Sequence, residues 1–313
     1  MRLAQSISNN LKTERIKKNT KIRKSTQDRL FKIFCYIFII TFSVICFLPF
    51  WIVIINSFTA EEAILRNGFQ LFPTDFSLSA YTYLLNGKQI GNSYMVTTTV
   101  TIIGTLLAVL ITSMFSYAIS HKKLKYGNFI SFMTYATMIF GTGLVGFYIL
   151  IARWLALKDT IWAMILPYLL NPFYAFILVS FYRSIPYEIN EAAIVDGANE
   201  IRIFFKIITP ISLPALATVS LFYALQYWND FWLALLFVDN NKLHPLQMMI
   251  RQMISNINIM QYIGNNQTNY NQMIPAYGVQ LATVCLTIGP IILLYPFLQN
   301  YFVKGVTIGA VKG

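Results

Sequence analysis

Six long apolar blocks dominate this chain: roughly Ile33 to Ile55, Tyr94 to Ile119, Phe129 to Ala152, Ile161 to Tyr182, Leu213 to Val238 and Tyr277 to Leu298. An α-helix rises 1.5 Å per residue, so about 20 residues cross the ~30 Å hydrocarbon core of a bilayer, and each block is that long. The pattern predicts an all-α polytopic membrane protein with six transmembrane helices. Composition agrees, because only 12% of the residues are charged, against about a quarter in a soluble domain. A soluble globular enzyme is thereby excluded.

The 24 Lys and Arg residues fall unevenly between the blocks. Ten precede the first block, and Lys122, Lys123, Lys125, Arg183, Arg202, Lys206, Lys304 and Lys312 lie on the same side of the alternating path. Basic loops stay in the cytoplasm, which predicts that both termini are cytoplasmic. Domain limits follow: a basic tail over 1–32, a membrane domain over 33–298 and a second tail over 299–313. The first tail abuts a membrane block, so its charges read as topogenic and attracted to membrane lipid, each worth about 1 kcal/mol near an anionic leaflet. No nucleic-acid partner is expected. The run from Ile33 to Ile55 exceeds the apolar core of a signal peptide, and no small-x-small site follows it, so it is read as an uncleaved helix.

Three features that resemble active chemistry fail on context. The run Gly141 to Gly146 matches GxGxxG but lies inside a membrane block, where small residues serve close packing or local unwinding. No GxxxxGK[ST] occurs, so ATP must be bound by another polypeptide if it is used at all. Cys35, Cys46 and Cys285 have no CxxC pairing, and His121 and His244 lack the i, i+4 spacing of a helical metal pair. The cysteines read as buried, inert thiols and the histidines as solvated or interfacial. No catalytic, metal or cofactor residues are assigned. In the loop after the fifth block, Leu243, Leu246, Ile250, Met253, Ile254 and Ile257 recur at helical spacing. Its Met248, Met249 and Met253 are read either as packing or as an adaptable partner surface.

The connection over residues 184–214 reads SIPYEINEAAIVDGANEIRIFFKIITPISLP. Pro186 opens a short helix of about three turns, Glu188 and Glu191 suit its N-terminal half through the helix dipole, and Gly197 ends it. Ile201, Phe204, Phe205 and Ile208 then recur at i, i+3, i+4 and i+7 before Pro210 and Pro214. A helix this short does not hold together alone in water and must pack on something. Ala192 and Ala193 allow close approach either to another protein or to the chain's own membrane domain, and the physics leaves both open.

The string EAAIVDGANEIRIFFKIITPISLP resembles the EAA loop of ABC importer permeases, with Glu191, Ala192, Ala193, Asp196, Gly197, Ala198, Phe204, Ile207 and Pro210 in register. Thr209 stands where that family usually has Leu. The likeness extends over nearly the whole chain after the basic tail. FPTDFSLSAY from Phe72, YWNDFW from Tyr227 and YFVKGVTIGAVKG from Tyr301 look like the carbohydrate-importing, maltose-permease-like branch, within it permeases for complex oligosaccharides or polysaccharide fragments. Gly146 stands where relatives often carry Pro.

The resemblance implies a type I ABC importer permease fold in the bacterial cell membrane. It also implies a second homologous permease, an ATPase dimer holding ATP and Mg, an extracytoplasmic solute-binding protein and a carbohydrate substrate. The EAA helix would be the coupling helix: Glu191 for a polar contact to the ATPase, Ala192 and Ala193 for fit, Asp196 and Gly197 for the turn. Asp230 is the sole acidic residue within a membrane block, where lipid exposure costs roughly 2.5–3.5 kcal/mol. With Tyr227, Trp228, Asn229 and Trp232 it offers rings and hydrogen-bonding groups suited to sugars, or a structural network. Asn171 is a further pathway candidate, and Pro172 beside it marks a kink. The rival function is a secondary transporter, which would work without an ATPase. Such a protein typically has internal repeats and several intramembrane ionisable groups. A membrane enzyme lacks a catalytic constellation here.

Overall fold

A computed structural model describes residues 26–121, 123–141, 143–264 and 277–289. Residues 1–25 of the expected first tail, the whole second tail and the end of the sixth block therefore lie outside the described residues, and residues 26–32 already belong to the first helix. Among those described, the regular elements are helices, and the β contact is an isolated bridge between Thr59 and Phe76. The chain divides into two units at Ile52/Val53. Helix α1 (Thr26–Ser57) begins in the first unit, where Phe34, Phe38 and Phe42 stack at i, i+4 spacing.

The second unit is built on α4 (Lys88–Ser120), which follows the short helices α2 (Glu61–Asn67) and α3 (Ser79–Asn86). Its 33 residues make a rod about 50 Å long. Helices α1 and α4 are long and apolar enough to cross a membrane unbroken. The next three blocks are bent pairs: α5 (Gly127–Ile139) with α6 (Leu144–Trp154), α7 (Trp162–Tyr168) with α8 (Pro172–Ser184), and α10 (Glu200–Ile211) with α11 (Leu213–Trp228). Counting each pair as one span gives up to five among the described residues. The sixth block is seen as α14 (Tyr277–Gly289). Between α8 and α10 lies α9 (Glu188–Val195), and α12 (Trp232–Phe237) and α13 (Leu246–Gly264) follow α11.

The core joins α4, α8, α11 and α12 through Ala108, Leu178, Val219, Tyr223, Ala234 and Phe237, all with no exposed surface. Small residues set the spacing of this contact, as expected where helices pack without a hydrophobic drive from lipid. Gly104 on α4 lies so near the Tyr227 ring that a Cβ there would sit 2.7 Å from Cζ. By contrast, a Cβ at Gly141, Gly143 or Gly146 would meet nothing within 4 Å. Of the two uses weighed for that run, the structure has unwinding, since the helix breaks between Ile139 and Leu144.

The three cysteines are not the buried thiols expected, since Cys46 is exposed and Cys35 and Cys285 are half-buried. The loop after α12 corrects one expectation and bears out another. His244 is buried and not solvated: a 3-10 turn over Asn241–Leu243 folds the chain back and brings its Nε2 within 3.1 Å of the Val238 carbonyl. Met248 and Met249 are also buried, so they pack inward and leave no methionine surface for a partner at these two positions. The Leu246 amide is anchored on Thr97 Oγ1 at 2.9 Å. The first helical donors of α14 are capped by Glu61, whose two carboxylate oxygens accept from Tyr277 N (2.9 Å) and Gly278 N (2.8 Å).

Candidate functional site

The loop between α8 and α11 carries a small, fully closed helix. Pro186 and Tyr187 form its entry turn, with their carbonyls accepting from Ile189 and Asn190, so α9 proper runs eight residues and is shorter than the expected three turns. At its end Ala198 N–H bonds the Ala193 carbonyl and Gly197 N–H bonds the Ile194 carbonyl, both at 3.0 Å. This pair of bonds is the Schellman motif, which requires a left-handed residue between helix and exit. Gly197 supplies it with φ +79°. Asp196 occupies the C-cap.

Around α9 the residues divide by face. Ala193 is buried in the chain's own core and Asn190 is buried on the wall of a neighbouring cavity, whereas Glu191, Ala192, Ile194 and Val195 face outward. Val195 is 86% exposed. The two alanines of the motif thus point to different neighbours. An outward patch of Ala, Ile and Val beside a carboxylate is an apolar seat with one charged edge.

The return stretch departs from the expected stripe. Asn199 caps α10, its Oδ1 accepting from Arg202 N at 2.9 Å. From Phe204 to Ile208 the helix then widens to a π turn. Ile203, Phe204 and Ile208 are buried, while Ile201 and Phe205 are exposed. The i→i+5 bonding of a π turn rotates the face, so Ile203 joins Ile208 in place of Ile201. At Ser212, between Pro210 and Pro214, the chain bends 85° into α11.

A polar tie that the sequence reading did not single out links this loop to α4. Tyr117 Oη donates to Glu200 Oε2 at 3.0 Å, and His121 Nε2 stands 3.7 Å from the same oxygen. The Tyr117 ring contacts Tyr182 and Phe204 edge-on or tilted, at 6.1 and 5.2 Å between centroids. The only sequence signal was a Tyr in an apolar block.

The sequence-derived pathway residues gather at the breaks in the spans. Leu169 to Asn171 interrupt the fourth span, which bends 46° with Pro172 at the first position of α8 and Asn171 Oδ1 capping Phe173 N. The freed backbone groups are met by other helices: Thr112 Oγ1 donates to the Leu169 carbonyl (3.2 Å), and the Asn171 N–H reaches Tyr223 Oη (2.9 Å). Such satisfaction is what a broken helix in lipid needs. Asn229 to Phe231 interrupt the fifth span, and there Asp230 Oδ1 accepts from Tyr168 Oη (3.0 Å) while Oδ2 accepts from Leu233 N (3.2 Å). Asp230 is thereby a helix cap and a bridge between the two breaks.

Its neighbours are similarly engaged. Tyr227 is buried and donates to the Ile165 carbonyl, and Trp228 Nε1 donates to Thr287 O. Asn229 is exposed, with its amide bonded to Leu225 O and Gln247. Trp232 leaves 44% of its surface open. The cluster is mostly an internal network, with Asn229 and Trp232 on its open side.

Bent spans whose freed backbone groups are met by hydroxyls of other helices, together with a protruding capped helix, describe a polytopic membrane subunit. Residues 109–308 match the family described as binding-protein-dependent transport system inner membrane component. The chain is 38% identical to the polygalacturonan/rhamnogalacturonan transport system permease protein YtcP of Bacillus subtilis (strain 168), over 92% of this chain and all of that one. It is 36% identical to protein LplC of the same organism, over 91% and 96%. In structure it is similar to a bacterial ABC transporter involved in the import of the acidic polysaccharide alginate, with TM-score 0.79 and 28% identity over 89% of this chain and 98% of that one.

The chain belongs to the family of binding-protein-dependent transport system inner membrane components. It is a permease subunit of ABC-type import, not a secondary transporter, and it is not an enzyme, because ATP hydrolysis resides in a separate subunit.

Proposed function

We propose that this permease moves an oligosaccharide into the cytoplasm, paired with a second homologous permease. A solute-binding protein delivers the sugar outside, and a separate ATPase dimer carrying ATP and Mg drives the cycle. The relatives named for polygalacturonan/rhamnogalacturonan and for alginate support a fragment of an acidic polysaccharide as the substrate. In this reading six spans cross the membrane with both termini cytoplasmic, residues 1–32 and 299–313 form tails, and residues 184–214 are the coupling loop.

The observation that carries the reading is α9: a Schellman-closed helix whose exposed face presents Glu191, Ala192, Ile194 and Val195. Glu191 makes the polar contact to the ATPase, Ala192 gives close fit, Ala193 roots the helix in the membrane domain, and Asp196 and Gly197 form the turn. ATP-driven closure of the ATPase then moves the loop, and α8 and α11 with it. Such coupling requires contacts that differ between the two states. Asn229 and Trp232 face the sugar path, while Tyr227, Trp228, Asp230 and Asn171 hold its wall.

Gentle purification from the native membrane, with mass spectrometry of the associated chains, tests the assembly. A second permease and an ATPase are expected, and vesicles containing them should take up oligogalacturonides only with ATP inside. Uptake by this chain alone, without ATP, would refute the proposal.

A further inference from the structure

Beside α9 lies a cavity of about 650 Å³, walled by the end of α4, the turn into α5, the end of α8 and the start of the 184–214 loop. Lys125 and Arg183 line it, and Glu188 is the one carboxylate among its described lining residues. The first residues of α5, Gly127 and Asn128, also line it, so the N-terminus of a 13-residue helix opens onto the space. Gly127 N–H is taken by the Leu124 carbonyl and Ile130 N–H by that of Tyr126, which leaves the Asn128 and Phe129 amides to favour an anion. Asn190 on α9 lines the same space, is 9% exposed, and has a buried amide oxygen with no hydrogen-bond partner among the described residues. A buried acceptor of this kind calls for a donor. From the cavity rim an apolar strip runs down α5, where Phe129, Phe132 and Met133 are 60%, 60% and 43% exposed at i, i+3, i+4 spacing.

We propose that this cavity binds the headgroup of an anionic, hydroxyl-bearing phospholipid such as phosphatidylglycerol, with its acyl chains along the exposed face of α5. Arg183, Lys125 and the α5 amides take the phosphate, and Asn190 Oδ1 and Glu188 accept from the glycerol hydroxyls. The lining carries one net positive charge by formal count, which favours an anionic headgroup over a zwitterionic one. The lipid sits directly behind α9, on the face opposite the proposed ATPase seat, so it sets how firmly that helix is held against the membrane domain. The assignment rests on reading this face as cytoplasmic.

The test uses the assembled transporter in nanodiscs of phosphatidylethanolamine doped with phosphatidylglycerol, with retained lipid counted by native mass spectrometry. One basic side chain near an anionic surface contributes a factor of about five, so the Lys125→Gln/Arg183→Gln double variant should retain phosphatidylglycerol roughly 30-fold less well. Asn190→Ala should keep the lipid but lose its preference for phosphatidylglycerol over phosphatidic acid, which lacks the hydroxyls. Retention unchanged in the double variant, or equal retention of phosphatidylethanolamine, would overturn the proposal. So would displacement by millimolar free glycerol phosphate, which would make the ligand a soluble phosphate. If the ATPase fails to co-purify with wild type, the coupling reading falls while the lipid count remains readable.

Discussion

Tyr117, on the last turns of α4, donates a 3.0 Å hydrogen bond to the Glu200 carboxylate at the head of α10. The longest core helix and the return arm of the 184–214 loop are therefore joined by a hydrogen bond to a charged acceptor as well as by packing. Glu200 is largely exposed, so water replaces the bond when it is removed and the stability cost is only about 1 kcal/mol. Tyr117→Phe should accordingly fold and assemble, yet transmit loop movement less faithfully. The expected result is a severalfold fall in sugar transported per ATP hydrolysed, measured in proteoliposomes, with the Tm nearly unchanged. An unaltered ratio would make the bond incidental.

Gly197 holds the left-handed position of the Schellman motif, and a Cβ there would meet open space. The cost of substitution is thus conformational, roughly 1–2 kcal/mol for an ordinary residue and less for Asn. Gly197→Asp, and more strongly Gly197→Val, should insert normally but release the ATPase during purification, whereas Gly197→Asn should retain most of it. Equal behaviour of Asn and Val would show that the turn geometry is not what matters.

Tyr223 Oη lies 2.6 Å from Thr112 Oγ1 and also serves the Asn171 N–H at the break in the fourth span. Tyr223→Phe keeps the ring and leaves the Asn171 N–H without its acceptor, at about 1–3 kcal/mol, while Thr112 Oγ1 keeps its bond to the Leu169 carbonyl. Thermal unfolding in detergent should show a lowered Tm, and Thr112→Val in the Tyr223→Phe background should lower it by less than the two single effects combined. Strict additivity would count against a shared network.

Asp230 accepts from Tyr168 Oη and Leu233 N. Asp230→Asn preserves both acceptor positions in one rotamer only at its oxygen, so one bond survives; Asp230→Ala loses both. Uptake assays should rank wild type, Asn and Ala in that order, with Ala also the least stable. If Asn abolishes uptake at unchanged stability, the carboxylate touches the sugar and does more than hold the wall.

Asp159 lies outside the spans at φ +58°, with Oδ1 accepting from Asp239 N (2.7 Å) and Asn240 N (2.9 Å), and these bonds hold its carboxyl below the usual range. A depressed folded pKa contributes stability that is present above the unfolded value, near 3.9, and is lost as pH falls through the folded value. Asp159→Asn tolerates the same backbone and does not titrate. Wild type should therefore lose Tm more steeply than the Asn variant as pH drops below about 5. Parallel curves would contradict this.

Much of this architecture was legible because lipid is a demanding solvent: block length and apolarity located the spans, and Glu191, Ala192 and Gly197 stood in a distinctive pattern. Pro172 read as a kink, and the structure bends the fourth span by 46° there. The break after Trp228 was hidden because Phe231 to Val238 continue the apolar run. Periodicity assumes 3.6 residues per turn, so the π turn at Phe204 put Ile201 on the wrong face. His244 was misread because its burial depends on a turn that folds it onto Val238. The Tyr117–Glu200 and Thr112–Tyr223 pairs join residues 83 and 111 positions apart, which local pattern cannot reveal.

The central claim is that the exposed face of α9 seats on a separate ATPase. Val195, 86% exposed at the tip of that face, is the position to probe. A Val195→Cys variant carrying a short photo-crosslinker, in membranes with its native partners, should capture the ATPase subunit, and the yield should change when ATP is added. Capture of lipid alone, or of no ATPase while ATP-dependent uptake proceeds normally, would contradict the account.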